Sequence, residues 1–131
     1  MSELSLQTYP IHLGMGASAV RQPEFTGEFD WYEGYGGRHH EDGAEGRLVA
    51  MHHFTEDWDS WEVHPNGHEV VLVTQGALTL VQEIDGEHVS TELVAGEAAI
   101  NPPGVWHTAR CAAPVSAVFI TAGMGTEHRP A

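Results

Sequence analysis

From Arg47 onward, the sequence consists of short apolar runs separated by turn residues, and this pattern restricts the chain to a small set of folds. The runs recur every 8 to 12 residues or so, with PNG, QG, DG and PPG between them, which is typical of an all-β sandwich or barrel. The Asp85-Gly86 pair in IDGEHV suits a hairpin turn that needs positive φ. The runs are RLVAMHHF, DSWEVH, EVVLVTQ, ALTLVQEI, VSTELV, EAAINPP, HTARCAA and VSAVFITA.

The first third of the chain lacks this pattern. Its segment FTGEFDWYEGYGGRHHEDGAEG is rich in glycine, acids and aromatics, and no part of the sequence shows a persuasive helical period over ten residues. We expect residues 1–46 to form an extended arm and loops that pack on the barrel or on a dimer partner. Residues 47–131 are expected to form the barrel itself.

Charge and size limit the partners. A length of 131 residues fits one domain, and 19 acidic against 5 basic residues give a net charge of −14. That field repels phosphate backbones and anionic lipid, so we expect neither nucleic acid nor membrane partners. The single cysteine, Cys111, and the absence of a secretory signal or a long apolar stretch favour a cytoplasmic location.

Ionisable side chains crowd the stretch WEVHPNGHEVVLVTQG. Glu62 and His64 lie on one side of a strand because side chains alternate, and Pro65-Asn66-Gly67 then reverses the chain. Glu69 shares a face of the returning strand with Val71 and Val73. If the turn pairs the two strands, Glu62, His64 and Glu69 converge on the barrel interior, whereas His68 is out of phase and is expected to face solvent.

A second patch, GEAAINPPGVWHTARC, opens a strand at Gly96 and begins the next one at His107 after a rigid Pro-Pro-Gly turn. Together the two patches resemble the two motifs of the cupin family. The first motif is matched by His64, by Glu69 five residues later and by Gly76 seven residues beyond that. The second is matched by Gly96, Pro102, Gly104 and His107 without a gap. The resemblance covers about Arg47 to Ala122.

This resemblance implies an antiparallel jelly-roll barrel (a double-stranded β-helix), often dimeric, with one divalent metal ion inside. The family holds that ion with two histidines, a glutamate and a distal histidine. In this sequence Glu62 replaces the first histidine, and the implied metal ligands are therefore Glu62, His64, Glu69 and His107. Two carboxylates and two imidazoles suit iron, manganese or zinc. The substitution also leaves open that no metal binds, because some members of the family have lost it.

Two further positions depart from the family motifs. Glu56 stands where the first motif opens with a glycine, and Cys111 stands where the second closes with an asparagine. Cys111 is in phase with His107, which makes it a fifth ligand, a reactive thiol or, as is usual for a buried free cysteine, a small core residue.

The remaining candidates have structural as well as functional interpretations. His39 and His40 lie in the acidic loop region, and only one of the adjacent His52 and His53 can face the interior of its strand. Three tryptophans flank the motifs and either wall a pocket or pack in the core: Trp58, Trp61 and Trp106.

The leading hypothesis is a metal-dependent cupin enzyme, of dioxygenase, isomerase or lyase type, that acts on a small organic molecule. Glu62 is then either the fourth ligand or a general base beside an open coordination position. The alternative is a non-catalytic cupin that binds or senses a small ligand, without metal if the site has been lost. We expect a homodimer in either case.

Overall fold

The computed structural model of the chain describes residues 2–131, which form eleven β-strands, one α-helix and two short 3-10 helices. The N-terminal part contains β1 (Ile11–Gly14), β2 (Ser18–Arg21) and α1 (Phe29–Arg38), with the 3-10 helices at Met15–Ala17 and His40–Glu45. The next strands are β3 (Arg47–Phe54), β4 (Ser60–Val63), β5 (Glu69–Gln75), β6 (Ala77–Ile84) and β7 (Glu87–Val94). The chain ends with β8 (Ala98–Asn101), β9 (His107–Arg110), β10 (Val115–Thr121) and β11 (Glu127–Pro130).

The strands form two antiparallel sheets, which confirms the all-β jelly-roll prediction. The six-stranded sheet has the order β2-β1-β3-β10-β5-β8, and the five-stranded sheet has the order β11-β4-β9-β6-β7. The core lies between them, because apolar side chains of β5 and β10 pack against those of β6, β7 and β9. The two sheets are not closed into one continuous barrel.

Two of the predicted turns depend on glycine for different reasons. Asp85 and Gly86 both have positive φ, 53° and 80°, and join β6 to β7 as the predicted hairpin. Gly76, between β5 and β6, has φ +82°, and a Cβ there would lie 2.4 Å from the carbonyl oxygen of Pro114. The close approach and the left-handed conformation together exclude any larger residue without strain.

The turn at residues 65–67 does not pair the strands on either side of it, contrary to the conditional expectation from the sequence. β4 pairs with β11 and β9 in one sheet, whereas β5 pairs with β10 and β8 in the other. The turn therefore carries the chain across the sandwich. Gly67 permits the crossing, since a Cβ at that position would lie 2.4 Å from the Cβ of Ala122, just after β10.

The region before Arg47 is more regular than the sequence indicated. β1 pairs with β3 and so extends the six-stranded sheet. Part of the region expected to be extended arm and loops is helical instead, because α1 spans ten residues. Its glycines obscured the helical pattern, and ring contacts of Trp31 with Phe25 (centroids 5.0 Å apart) and Tyr35 (5.7 Å) hold it in place. The division of the chain at residue 46 stays a prediction.

The helices in the described part of the chain are too short and too polar to cross a bilayer.

Candidate metal centre

The structure brings together the four residues that the sequence analysis selected. Glu62 comes from β4, His64 follows the end of that strand, and Glu69 and His107 are the first residues of β5 and β9. One potential ligand atom from each lies within 4.8 Å of the others, and three of the four side chains are buried. The cluster therefore spans both sheets, at the end of the sandwich where β4, β5 and β9 meet.

The alternation of side chains along β5 fixes the orientation of Glu69. Glu69, Val71 and Val73 are buried on the inner face as predicted, with Glu69 only 2% exposed. His68 precedes them and is exposed, which agrees with its expected solvent-facing position. On β4, Glu62 is half-buried, and His64 beyond the strand end is 5% exposed.

Thr126 determines which nitrogen of His64 carries the proton. The Thr126 hydroxyl donates its only proton to the carbonyl oxygen of Gly123 at 2.8 Å, so it can only accept at the Nδ1 atom of His64, 2.7 Å away. His64 Nδ1 must therefore be the donor. In the neutral imidazole the lone pair is then on Nε2, which is directed into the cluster.

His107 is oriented in the same way. Its Nδ1 atom lies 3.4 Å from the carbonyl oxygen of Val105, which can only accept, so Nδ1 is again the protonated nitrogen. His107 is fully buried. Among the described residues, the Nε2 atoms of His64 and His107 are the buried side-chain nitrogens without a hydrogen-bond partner.

Carboxylate oxygens face these two nitrogens. Glu69 Oε2 lies 3.2 Å from His64 Nε2, and Glu69 Oε1 lies 3.2 Å from His107 Nε2. Burial by itself raises the pKa of Glu69, but the facing imidazoles outweigh it and hold that pKa well below its ordinary value. Glu69 also accepts hydrogen bonds from Asn101 Nδ2 at 3.0 Å and from the Thr121 hydroxyl at 2.6 Å, so its carboxylate is held as an anion in a fixed position.

Glu62 differs from Glu69 because it reaches solvent. Its Oε1 atom lies 3.5 Å from His107 Nε2 and 3.7 Å from His64 Nε2, while its Oε2 atom lies 3.0 Å from Nε2 of the exposed His128. Burial raises the pKa of Glu62, but the nearby His107 and His64 imidazoles lower it below its ordinary value. His128 was not found from the sequence, because it lies 66 residues from Glu62 and belongs to no motif.

The spacing of these atoms fits a metal ion. Two donor atoms that each lie about 2.1 Å from one ion are about 3.0 Å apart at a right angle and about 3.4 Å apart at a tetrahedral angle. The four facing distances of 3.2 to 3.7 Å are close to these values. Burial lowers the pKa of His107, but the two carboxylates outweigh it and raise the pKa to about 9. The cluster thus attracts positive charge to the space between the Nε2 atoms and the carboxylates.

The cluster opens into a cavity of about 1100 Å³ between the sheets and α1. Trp58 lines this cavity, as one interpretation of the flanking tryptophans proposed, and its ring centroid lies 6.4 Å from that of His107. Trp61 and Trp106 instead pack around the guanidinium of Arg129, whose Cζ atom lies 5.2 Å from the Trp61 ring centroid and 4.5 Å from that of Trp106. The cavity is large enough for a drug-sized organic molecule.

The other candidates from the sequence lie outside the four-residue cluster. Cys111 is half-buried against the apolar core, which agrees with its interpretation as a core residue, and burial raises its pKa. His52 faces the interior and lines the cavity, whereas His53 is exposed and contacts the Ser116 hydroxyl at 2.9 Å. His40 is exposed beside the carbonyl of Gly37.

A second polar cluster on the cavity wall contains His39 together with residues that the sequence analysis did not select. His12, which is 2% exposed, lies 2.6 Å from Asp42 Oδ2 through Nε2 and 2.7 Å from the Tyr35 hydroxyl through Nδ1. The His39 ring stacks on His12 with centroids 3.8 Å apart, and its Nε2 atom contacts Gln22. No motif marked these positions, since they meet only when α1 packs over β1.

Comparison with known proteins agrees with this geometry. The family model described as a cupin domain matches residues 55–123, which is more than half of the chain and includes all four residues of the cluster. The chain belongs to the cupin family. No curated protein matches it in sequence.

Several solved structures share this fold. An uncharacterized protein with a double-stranded β-helix domain from Klebsiella pneumoniae is 26% identical, with a TM-score of 0.52 over 65% of this chain and 74% of that one. Oxalate oxidase is 19% identical, with a TM-score of 0.53 over 61% of this chain and 44% of its own. A hydroquinone 1,2-dioxygenase in complex with Cd²⁺ and 4-hydroxybenzonitrile is 14% identical, with a TM-score of 0.52 over 57% of this chain and 56% of its own. At these identities the last two support the fold alone.

Proposed function

We propose that this cupin binds one divalent metal ion through Glu62, His64, Glu69 and His107 and that it is an enzyme that acts on a small organic molecule in the adjoining cavity. The observation that carries the proposal is the pair of buried Nε2 atoms of His64 and His107, which face carboxylate oxygens at 3.2 Å and have no hydrogen-bond partner. In a neutral imidazole with a protonated Nδ1, the Nε2 atom carries a lone pair, which repels a carboxylate unless a proton or a metal ion lies between them. A single proton on His107 would leave the lone pair of His64 unsatisfied.

The chain's own residues would hold the ligands of this site in fixed orientations. Thr126 and the Val105 carbonyl fix the two imidazoles, and Asn101 and Thr121 fix Glu69. A bound ion would supply the positive charge that orients a substrate oxygen and stabilises negative charge developing on it. Iron, manganese and zinc all suit a set of two imidazoles and two carboxylates.

Glu62 is the residue best placed to combine ligation with proton transfer. Its Oε1 atom points at the two Nε2 atoms, and its Oε2 atom faces His128 at 3.0 Å on the open side. A carboxylate can bind an ion through one oxygen and hydrogen-bond through the other. A proton accepted by Glu62 therefore has a path through His128 to solvent.

The test is the metal stoichiometry of protein purified without an affinity tag and reloaded in turn with Fe²⁺, Mn²⁺ and Zn²⁺. We expect about one ion per chain in the unmodified protein. His64→Ala and His107→Ala should each lose the bound metal, whereas the control His68→Ala should retain it, because His68 is exposed beside the cluster. Glu62→Gln should weaken metal retention, whereas Glu62→His should retain the metal. Full occupancy in Glu62→Gln would refute ligation by Glu62.

A second measurement separates an enzyme from a binding protein. An open coordination position on the Fe²⁺ protein should bind nitric oxide and give the corresponding electron paramagnetic resonance signal. A metal-loaded protein without that signal, or a protein that binds no metal but retains a small ligand tightly, would favour the non-catalytic alternative.

A further inference from the structure

The cavity that adjoins the metal centre carries an excess of negative charge. Within residues 2–131, no lysine or arginine side chain lines it, and the whole sequence contains no lysine. Two of its carboxylates, Glu62 and Glu69, belong to the metal centre and would balance a divalent ion. The other four remain uncompensated: Glu33, Glu56, Asp57 and Asp59.

Aromatic rings form much of the remaining wall. Trp58 lies next to Phe54 and Phe119, with ring centroids 5.9 and 5.8 Å apart, and next to His107 of the metal centre. Phe29 and Tyr32 approach from α1, and the side chain of Phe29 is 76% exposed at the cavity entrance. The faces of such rings attract a cation, and a ring cluster with carboxylates near it is the usual recognition site for an ammonium group.

The polar groups on the α1 side offer acceptors as well. The Nε2 atom of His12 lies 2.6 Å from Asp42 Oδ2, and its Nδ1 atom lies 2.7 Å from the Tyr35 hydroxyl oxygen. The Tyr35 hydroxyl oxygen retains acceptor capacity in either direction of that hydrogen bond. The neighbouring Tyr32 stays protonated, because burial and the negative charge of Glu62 raise its pKa to about 12.

We propose that the cavity selects an organic cation, that is, a small molecule with a protonated or quaternary amine on an aromatic-sized apolar body, and that it discriminates against carboxylates and phosphates. Four carboxylates and a wall of aromatic rings support this choice, and no arginine or lysine among the described residues lines the cavity to pair with an anion. The identification of this cation as the substrate rests on the proposed function. The charge preference of the cavity does not, because it is present with or without a metal ion.

The test compares three probes of similar size and different charge: 2-phenylethylamine, 2-phenylethanol and 3-phenylpropionate. Each is titrated by calorimetry at neutral pH into the full chain, once stripped of metal with a chelator and once loaded with Zn²⁺. We expect the amine to bind about tenfold more tightly than the alcohol in both forms at low salt, and the carboxylate to bind most weakly. The preference should decrease as salt is added, since the four carboxylates lie near solvent.

Charge-matched variants show whether the preference belongs to the cavity. Glu56→Gln/Asp59→Asn removes two negative charges from the cavity wall, and the control Glu87→Gln/Glu92→Gln removes two from exposed β7, outside the cavity. The first pair should weaken binding of the amine about three- to tenfold and leave that of the alcohol unchanged. The control should bind all three probes as the unmodified chain does.

The outcomes separate this inference from the proposed function. A chain that binds no metal but prefers the amine would overturn the metal-dependent enzyme and leave the inference standing. Equal binding of the amine and the alcohol, preferential binding of 3-phenylpropionate, or equal effects of the two variant pairs would overturn the inference, whatever the metal content.

Discussion

Replacing Thr126 with valine should weaken metal binding, although Thr126 is not itself a ligand. Valine has nearly the same shape but cannot accept the Nδ1 proton of His64, which lies 2.7 Å from the Thr126 hydroxyl. Because His64 is 5% exposed, solvent cannot easily replace that acceptor. His64 then either keeps an unsatisfied buried donor, at about 1–3 kcal/mol, or moves its proton to Nε2, where it blocks the metal.

Both outcomes reduce metal affinity, and the expected loss is about 10- to 100-fold, or about 1.4–2.7 kcal/mol. The assay is a competition titration of Zn²⁺ between the protein and a coloured chelator at neutral pH. Thr126→Ser keeps the hydroxyl and serves as the matched control, and thermal unfolding of both metal-free variants checks that they fold. Unchanged zinc affinity in Thr126→Val, or an equal loss in Thr126→Ser, would refute the tautomer argument.

Three further predictions concern stability and assembly. In metal-free protein, His107 has its pKa raised to about 9 from 6.5, so its contribution to stability is complete below pH 6.5 and is lost as the pH rises to about 9. In denaturant unfolding, the free energy of unfolding of chelator-treated protein should fall by about 1–3 kcal/mol between these two pH values. Metal retention should instead improve over the same range. A free energy of unfolding that rises with pH in the metal-free form would contradict this prediction. Gly76→Ala should destabilise the chain by about 1–3 kcal/mol, because φ at this position is +82° and the carbonyl oxygen of Pro114 would lie 2.4 Å from the new Cβ. An unchanged melting temperature would contradict this prediction. We expect light scattering to give the mass of a homodimer, and a monomer mass across micromolar concentrations would exclude it.

The sequence was sufficient to predict features that depend on local spacing. Alternation along β5 placed Glu69 inside and His68 outside, and Asp85-Gly86 specified its hairpin, because both depend on residues that are neighbours in the chain. The four residues of the candidate metal centre were selected by motif spacing. They lie at or near the ends of three strands, β4, β5 and β9.

Features that depend on distant segments could not be predicted in this way. The acceptor for His64 lies 62 residues away at Thr126, and the partner of Glu62 lies 66 residues away at His128, so no local pattern connects them. The turn at residues 65–67 was compatible with a hairpin by its residues alone. It crosses between the sheets because β10 and β8 flank β5, which only the complete topology determines.

The position of the ion is the most direct test of the account, and anomalous diffraction from crystals grown with Zn²⁺ or Mn²⁺ measures it. We predict one strong peak between β4, β5 and β9, about 2.0–2.2 Å from His64 Nε2, His107 Nε2 and one oxygen each of Glu62 and Glu69. No peak at that position, or a peak only at the His12, His39 and Asp42 cluster, would contradict it.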